Sequence, residues 1–214
     1  MRYTTVIFDL DGPLLNTLED IRDRVNYRML HFSKPERTME EIMMSVGNGS
    51  AWLLERSLPD GRNTENFEEI LSFYREYYNA HSMIKTEPYD GITSMLRKLC
   101  ASEHKLAVVS NKPDQTVKKL VRHFFSGTIS VAVGEGKNVN RKPSPDTVNT
   151  VMKELLSFPY ECVYVGDSEV DLETAKNAGI ECVSVSWGFR SREFLSSLGA
   201  KYIADSPNDI FEFV

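Results

Sequence analysis

The sequence predicts a doubly wound, mostly parallel α/β sheet into which an all-helical segment is inserted. Three observations predict it. A short apolar run, Val6-Ile7-Phe8, near the start of the chain stops at Asp9 and Asp11, which reads as a buried strand. Between residues 18 and 83 no strand pattern is convincing, and apolar residues recur at helical spacing. From Pro88 onward, short apolar runs alternate with amphipathic stretches, an order that implies right-handed crossovers between parallel strands. The expected organisation is an α/β core of residues 1–17 and 84–214 around a helical domain of residues 18–83.

The elements follow in chain order. After the first strand, Leu18, Ile21, Val25 and Met29 make one helical face. Thr38 with Glu41 resembles a capping box before Ile42 and Met43. A helix is expected over 51–58, and Phe67, Ile70, Leu71, Tyr74 and Tyr78 form a further apolar stripe, read as bundle core. In the second part, 92–99 is expected to be helical and 105–110 a strand. Pro113 suits a first helical turn, 129–133 is a strand, and Ser144 with Pro145 caps the next helix. Strands at 161–166 and 181–185 flank a helix over 168–178, and a short strand at 202–204 precedes a terminal helix.

Composition narrows the function classes. The chain has 214 residues, enough for one sizeable domain plus an insert, and its 41% hydrophobic and 26% charged fractions are those of an ordinary globular protein. A formal net charge of -6 argues against a general nucleic-acid binder, which would carry a basic face. Cys100, Cys162 and Cys182 lack metal-ligand spacing, and their odd number rules out a complete disulfide framework. With no signal-peptide pattern and no run of apolar residues long enough to cross a bilayer, the expected location is the reducing cytoplasm, away from membranes.

Polar chemistry gathers at the strand ends. Alternation points Asp9 and Asp11 the same way, and two such carboxylates repel unless a cation or a shared proton relieves them. The carboxyl edge is also where open α/β sheets bind ligands. An Asp-Gly turn merely closing the strand is the alternative. The second strand ends in Ser110-Asn111-Lys112 before the Pro113 helix, which is either an anion cradle or ordinary capping by Ser110 or Asn111. Lys142, in Arg141-Lys142-Pro143-Ser144-Pro145, is either a counter-charge for phosphate or a solvated loop lysine. Asp167 ends a further strand, with Asp171 one helical turn on, and the pair could supply hard oxygen ligands for magnesium. Capping by Ser168 and Asp171 is the competing explanation, and it leaves Asp167 unexplained.

In chain order these pieces are Asp-x-Asp-Gly, Ser-Asn, Lys-Pro and Gly-Asp-x-x-x-Asp, each at a strand end. The combination resembles the haloacid dehalogenase-like hydrolase superfamily, and more closely its phosphoglycolate phosphatase-like branch. Asp9-Leu10-Asp11-Gly12-Pro13-Leu14-Leu15-Asn16-Thr17 is similar to the first motif of that branch, and Val46-Gly47-Asn48-Gly49 to its cap loop. Glu87-Pro88-Tyr89-Asp90-Gly91 resembles the return from cap to core. Val109-Ser110-Asn111-Lys112-Pro113 and the stretch from Val165 to Gly179 complete a resemblance spanning nearly the whole chain.

The resemblance implies a Rossmann-like core with a helical cap and a magnesium-dependent phosphatase working through an aspartyl-phosphate. It implies Asp9 as nucleophile and Asp11 as the acid that protonates the leaving group and later activates water. Magnesium would be held by Asp9, Asp167 and the main-chain carbonyl of Asp11. Ser110, Lys142, Asn111 and backbone amides near Gly12 would hold phosphate, with Asp171 orienting Lys142 or a metal-bound water. The partner implied is a small phosphorylated metabolite such as phosphoglycolate.

One departure stands out. Pro13 replaces the threonine that commonly follows Asp-Gly in the family, removing a hydroxyl and an N–H beside Asp11; activity is expected to survive. The cap is expected to set specificity, with Gly47, Asn48 and Gly49 approaching the site or simply turning between helices. Arg22 and Arg24, near the start of the cap, either meet a substrate carboxylate or are solvated, and solvation is the expectation. A nucleotidase or pyrophosphatase of the same fold remains an alternative, as does a non-catalytic phosphate-binding regulatory module. A sugar-phosphate mutase is disfavoured because Asp20 stands near where the usual cap histidine would be, and Asp-x-Asp argues against a dehalogenase.

Overall fold

A computed structural model describes residues 3–81, 83–136 and 139–214. Two compact units emerge, one of Met1–Asn16 with Pro88–Val214 and one of Thr17–Glu87. The first unit begins with β1 (Thr5–Asp9), whose five residues are all buried, as a strand covered on both faces requires. Val6, Ile7 and Phe8 are fully shielded, and burying side chains of this kind stabilises by roughly 1.5–3 kcal/mol each. A short β2 (Leu15–Asn16) leads out of the unit.

The second unit is helical. α1 (Leu18–His31), α2 (Met39–Ser45), α3 (Gly49–Ser57) and α4 (Phe67–His81) share one core of Ile21, Val25, Met29, Ile42, Leu54 and Ile70 among others. The capping box is present: the Thr38 hydroxyl accepts from the Glu41 N–H at 3.2 Å, and the Thr38 N–H donates to Glu41 Oε2 at 2.8 Å. Phe67, Ile70, Leu71, Tyr74 and Tyr78 are buried together, in keeping with their spacing. Arg24 departs from the expectation of a solvated side chain. It is 3% exposed and pairs with Asp20 one turn earlier at 3.0 Å, because the apolar face of α1 carries it inward. Arg22 stays part-exposed beside Asp23.

The chain re-enters the first unit through β3 (Glu87–Pro88) and α5 (Ile92–Ala101). β4 (Lys105–Pro113), α6 (Asp114–Phe124), β5 (Val131–Glu135) and α7 (Asp146–Glu154) follow. β6 (Cys162–Gly166), α8 (Glu169–Ala178), β7 (Glu181–Val185), α9 (Arg192–Ser197) and β8 (Tyr202–Ala204) complete it, before a closing 3-10 turn over Pro207–Glu212. The sheet order is β5-β4-β1-β6-β7-β8, with every pairing parallel. Helix α9 had no strong periodic signal, since it is only six residues long. β5 sits two residues later than expected and β4 runs three further. Ser144 does not cap α7: its hydroxyl donates to Asp146, and Pro145 occupies the cap position. The ending expected as a helix is a 3-10 turn.

Register is what positions the site. Asp9 pairs with Val109, and Phe8 with Val165. Ser110, Gly166 and Asp167 therefore leave the sheet at the same edge as Asp9. Strand order reverses at β1, so this edge is the topological switch point where such sheets bind ligands.

Within the helical unit, the buried Asp20 carboxylate collects the N–H groups of Ile84, Lys85 and Thr86 at 2.9–3.2 Å and the Thr86 hydroxyl at 2.7 Å. Together with Arg24 these contacts tie the return segment to α1. Asp20→Ala is expected to destabilise the protein by roughly 3 kcal/mol, as loss of one member of a buried ionic cluster does, read as a lower midpoint in urea unfolding.

Candidate active site

β1 ends at Asp9, and the chain turns at once, with the Leu10 N–H donating to Asp9 Oδ1 at 2.7 Å. The two carboxylates at this edge have separate partners. Asp9 Oδ1 lies 2.9 Å from Lys142 Nζ, whereas Asp11 Oδ2 lies 2.6 Å from Lys112 Nζ.

Lys142 is the hub. Its ammonium, 2% exposed, also reaches Asp171 Oδ1 at 2.8 Å and the Tyr164 hydroxyl at 3.1 Å. Tyr164 in turn donates to Asp171 Oδ1 at 3.0 Å. This burial excludes the reading of Lys142 as a solvated loop lysine. Asn111 fixes the Lys142 main chain from both sides: its Oδ1 accepts the Lys142 N–H at 2.7 Å and its Nδ2 donates to the Lys142 carbonyl at 3.0 Å. The cradle residue Asn111 thus acts on Lys142. Ser110 is 2% exposed, and its Oγ accepts the Lys112 N–H at 3.2 Å.

Asp171 both caps and orients. Its Oδ2 accepts from the N–H groups of Asp167 and Ser168 at 3.1 Å and from the Ser168 hydroxyl at 2.7 Å, while Oδ1 holds Lys142 and Tyr164. Asp167 is held differently. Its Oδ2 accepts the Phe189 N–H, and it packs between Gly12 and Gly188, where any Cβ would overlap its carboxylate. Gly12 has φ +98° and donates its N–H to the Leu15 carbonyl, so what this glycine supplies at Asp167 is room. The Trp187 indole donates to the Pro13 carbonyl at 3.1 Å, bringing the segment after β7 against the first motif.

Gly47, Asn48 and Gly49 lie in the helical unit at the turn between α2 and α3, with Asn48 before the first residue of α3 and both glycines at positive φ. Sequence reading did not single out Tyr164, Lys112, Gly188 or Phe189. The Trp187-Gly188-Phe189-Arg190 run just past the β7 strand was a usable signal, because a glycine beside the end of an apolar strand also marks the β1 and β6 site segments.

Comparison with known proteins gives this geometry a family. The sequence profile of the haloacid dehalogenase-like hydrolases matches residues 6–185. The chain belongs to that family. A phosphoglycolate phosphatase of Aquifex aeolicus is 29% identical over 210 residues, covering 98% of this chain and 95% of its own. The pyrophosphatase PpaX of Bacillus mycoides is 27% identical, covering 98% and 96%. Among solved structures, one from Lactobacillus delbrueckii subsp. bulgaricus superposes with TM-score 0.94 at 33% identity, covering 100% of this chain and 98% of its own.

In this haloacid dehalogenase-like hydrolase the electrostatics invite a cation. Asp9, Asp167 and Asp171 are all buried, and each offers an oxygen within 4.8 Å of the others, while Lys142 is the ammonium among them. Burial pushes the Asp9 carboxyl up to about 7, against the pull of Lys142 and with the push of Asp171 and Asp11. Burial and the charges of Asp171 and Asp9 likewise hold Asp167 well above the ordinary carboxylate range. Burial also works against the charge on Asp171, but Lys142, Ser168 and Tyr164 outweigh it and hold that carboxyl low. Burial lowers Lys142, and Asp171 and Asp9 more than restore it. Once deprotonated, three carboxylates with one ammonium leave negative charge over, and hard oxygen donors suit a magnesium-type cation. Both Asp171 oxygens are already engaged, so Asp9 and Asp167 are the side chains with donors to offer. No described helix is long and apolar enough to cross a membrane.

Gly188→Ala is expected to push Asp167 off its seat and lower hydrolase activity at least tenfold, with the far-UV circular dichroism spectrum retained. Phosphate release and circular dichroism on the same preparation check both halves.

Proposed function

We propose that this phosphatase is magnesium-dependent and hydrolyses a small phosphomonoester of the phosphoglycolate type through an aspartyl-phosphate on Asp9. The observation that carries the reading is the buried group of Asp9, Asp167 and Asp171 around the Lys142 ammonium. Family membership and the names of full-length relatives support the reaction class.

The residues then take roles their positions suit. An Asp9 oxygen attacks phosphorus, and the bridging oxygen departs as an alcohol with a proton from Asp11. Asp11 next removes a proton from water, whose attack releases inorganic phosphate and restores the Asp9 carboxylate. Lys142, pinned by Asn111 and aimed by Asp171, sets a fixed positive charge beside Asp9, and Ser110 sits at the neighbouring strand end to hold an equatorial oxygen. In this family the chemistry is mostly positioning and charge stabilisation, so rigid seats matter more than reactive groups. A magnesium ion held by Asp9, Asp167 and the Asp11 carbonyl would neutralise the charge that otherwise keeps carboxylate and phosphate apart. The helical unit, residues 18–83 as read from sequence, would serve as the cap that reads the leaving group, with Gly47, Asn48 and Gly49 approaching it.

Pyrophosphate hydrolysis is the second reading, favoured by the resemblance to PpaX. A mutase reading loses ground because Asp20 is committed to the 84–86 segment and offers no acid or base in place of a histidine.

The deciding experiment is phosphate release from a panel of phosphomonoesters and pyrophosphate, with and without magnesium. Wild type is expected to release phosphate only with magnesium, and Asp9→Asn to lose at least a thousandfold in kcat; magnesium-independent release, or release by Asp9→Asn, would refute the reading. A second expectation follows from the raised carboxyls, which must lose protons to bind a cation. Apparent magnesium affinity should rise with pH up to and through about 7, where Asp9 gives up its proton, about tenfold per unit below that for each proton displaced, measured by titration calorimetry.

A further inference from the structure

The mechanism uses one site lysine and leaves a second, Lys112, without a task. Lys112 follows Ser110 and Asn111 at the end of β4, in a stretch where the pairing with β5 shifts register between Val109 and Pro113. Irregularities of this kind re-aim side chains beside active sites. Here the turn is held by the Ser110 hydroxyl, and Lys112 Nζ reaches Asp11 Oδ2 at 2.6 Å, with both side chains about 10% exposed.

We propose that Lys112 reads the leaving group and selects phosphomonoesters whose alcohol carries a negative charge of its own. The inference rests on the reading of Asp11 as the residue that protonates the departing oxygen. If Asp11 faces that oxygen, an ammonium in contact with Asp11 lies beside the first atoms beyond it. A carboxylate or phosphate two or three atoms from the bridging oxygen therefore meets a fixed point charge, whereas a neutral group of the same shape gains nothing there. The two lysines divide the work by depth. Lys142 is 2% exposed and locked to Asp9, Asp171 and Tyr164 on the phosphoryl side, and Lys112, less buried, stands on the Asp11 side. Specificity of this kind is electrostatic selection between otherwise similar substrates.

The rival account is that Lys112 merely holds Asp11 in place, in which case its removal would affect all substrates alike. The test compares 2-phosphoglycolate with its amide, which differ in charge and hardly in shape, for wild type, Lys112→Met and Lys112→Arg. Lys112→Met is expected to lower kcat/KM for the carboxylate at least tenfold more than for the amide, with the extra loss in KM. Lys112→Arg, which keeps the charge, is expected to retain most of the wild-type preference. Equal losses on the two substrates, or no loss on either, would overturn the assignment while leaving the phosphatase reading intact. If wild type releases phosphate from neither compound nor from p-nitrophenyl phosphate, the functional reading itself falls, and this assignment with it.

Discussion

A lysine ammonium cannot be buried without partners, and much of this molecule follows from how Lys142 finds them. Its charge is answered by carboxylates from two different strand ends, Asp9 after β1 and Asp171 beyond β6, and by the Tyr164 hydroxyl within β6. Removing the ammonium would leave these carboxylates with uncompensated charge in a region of low dielectric, which is costly. The contact is possible because the parallel register delivers those segments to one edge of the sheet. Asn111, from the end of β4, then pins the lysine's main chain through both ends of its amide. Three separate stretches of chain thus converge on this lysine.

Space is the second constraint. Asp167 occupies a slot walled by Gly12 and Gly188, and Asp171 presses on Gly166 in the same way. Side chains at these glycines would move carboxylates whose positions matter most. The glycines of the first and last motifs therefore serve packing around the acids. The contact of Trp187 with the Pro13 carbonyl belongs to the same assembly, giving the residue that departs from the family pattern a partner of its own.

The acids keep their unusual character for the same reason. Burial raises Asp9 and Asp167 together, while Asp171, with every oxygen engaged, stays low. Three aspartates of identical chemistry are separated into two kinds by their neighbours: one that orients, and two that remain poised to meet a cation. In the helical unit Asp20 shows a third use of the same side chain, gathering backbone N–H groups to fasten the return segment.

Local pattern was enough for the alternation of strands and helices, for the helical block after β1 and for the polar clusters at the strand ends. These features are dictated by periodicity and by residue chemistry that acts over a few positions. The Thr38–Glu41 box and the 181–185 and 202–204 strands were legible for that reason. Short or irregular pieces were not: α9 spans too little chain to show a period, and β4 continues past the point where its apolar run ends. Within the site, the aspartates could be named from sequence, but their partners could not. Nothing local links Lys112 to Asp11, 101 positions away, or Phe189 to Asp167, or makes Tyr164 anything other than a core aromatic. Nor does local pattern tell a buried Arg24 from a solvated one. The sequence by itself determined which chemical groups stand at the ends of which strands. Only the tertiary structure decided which of them touch, because strand order and register are set by packing across the whole sheet.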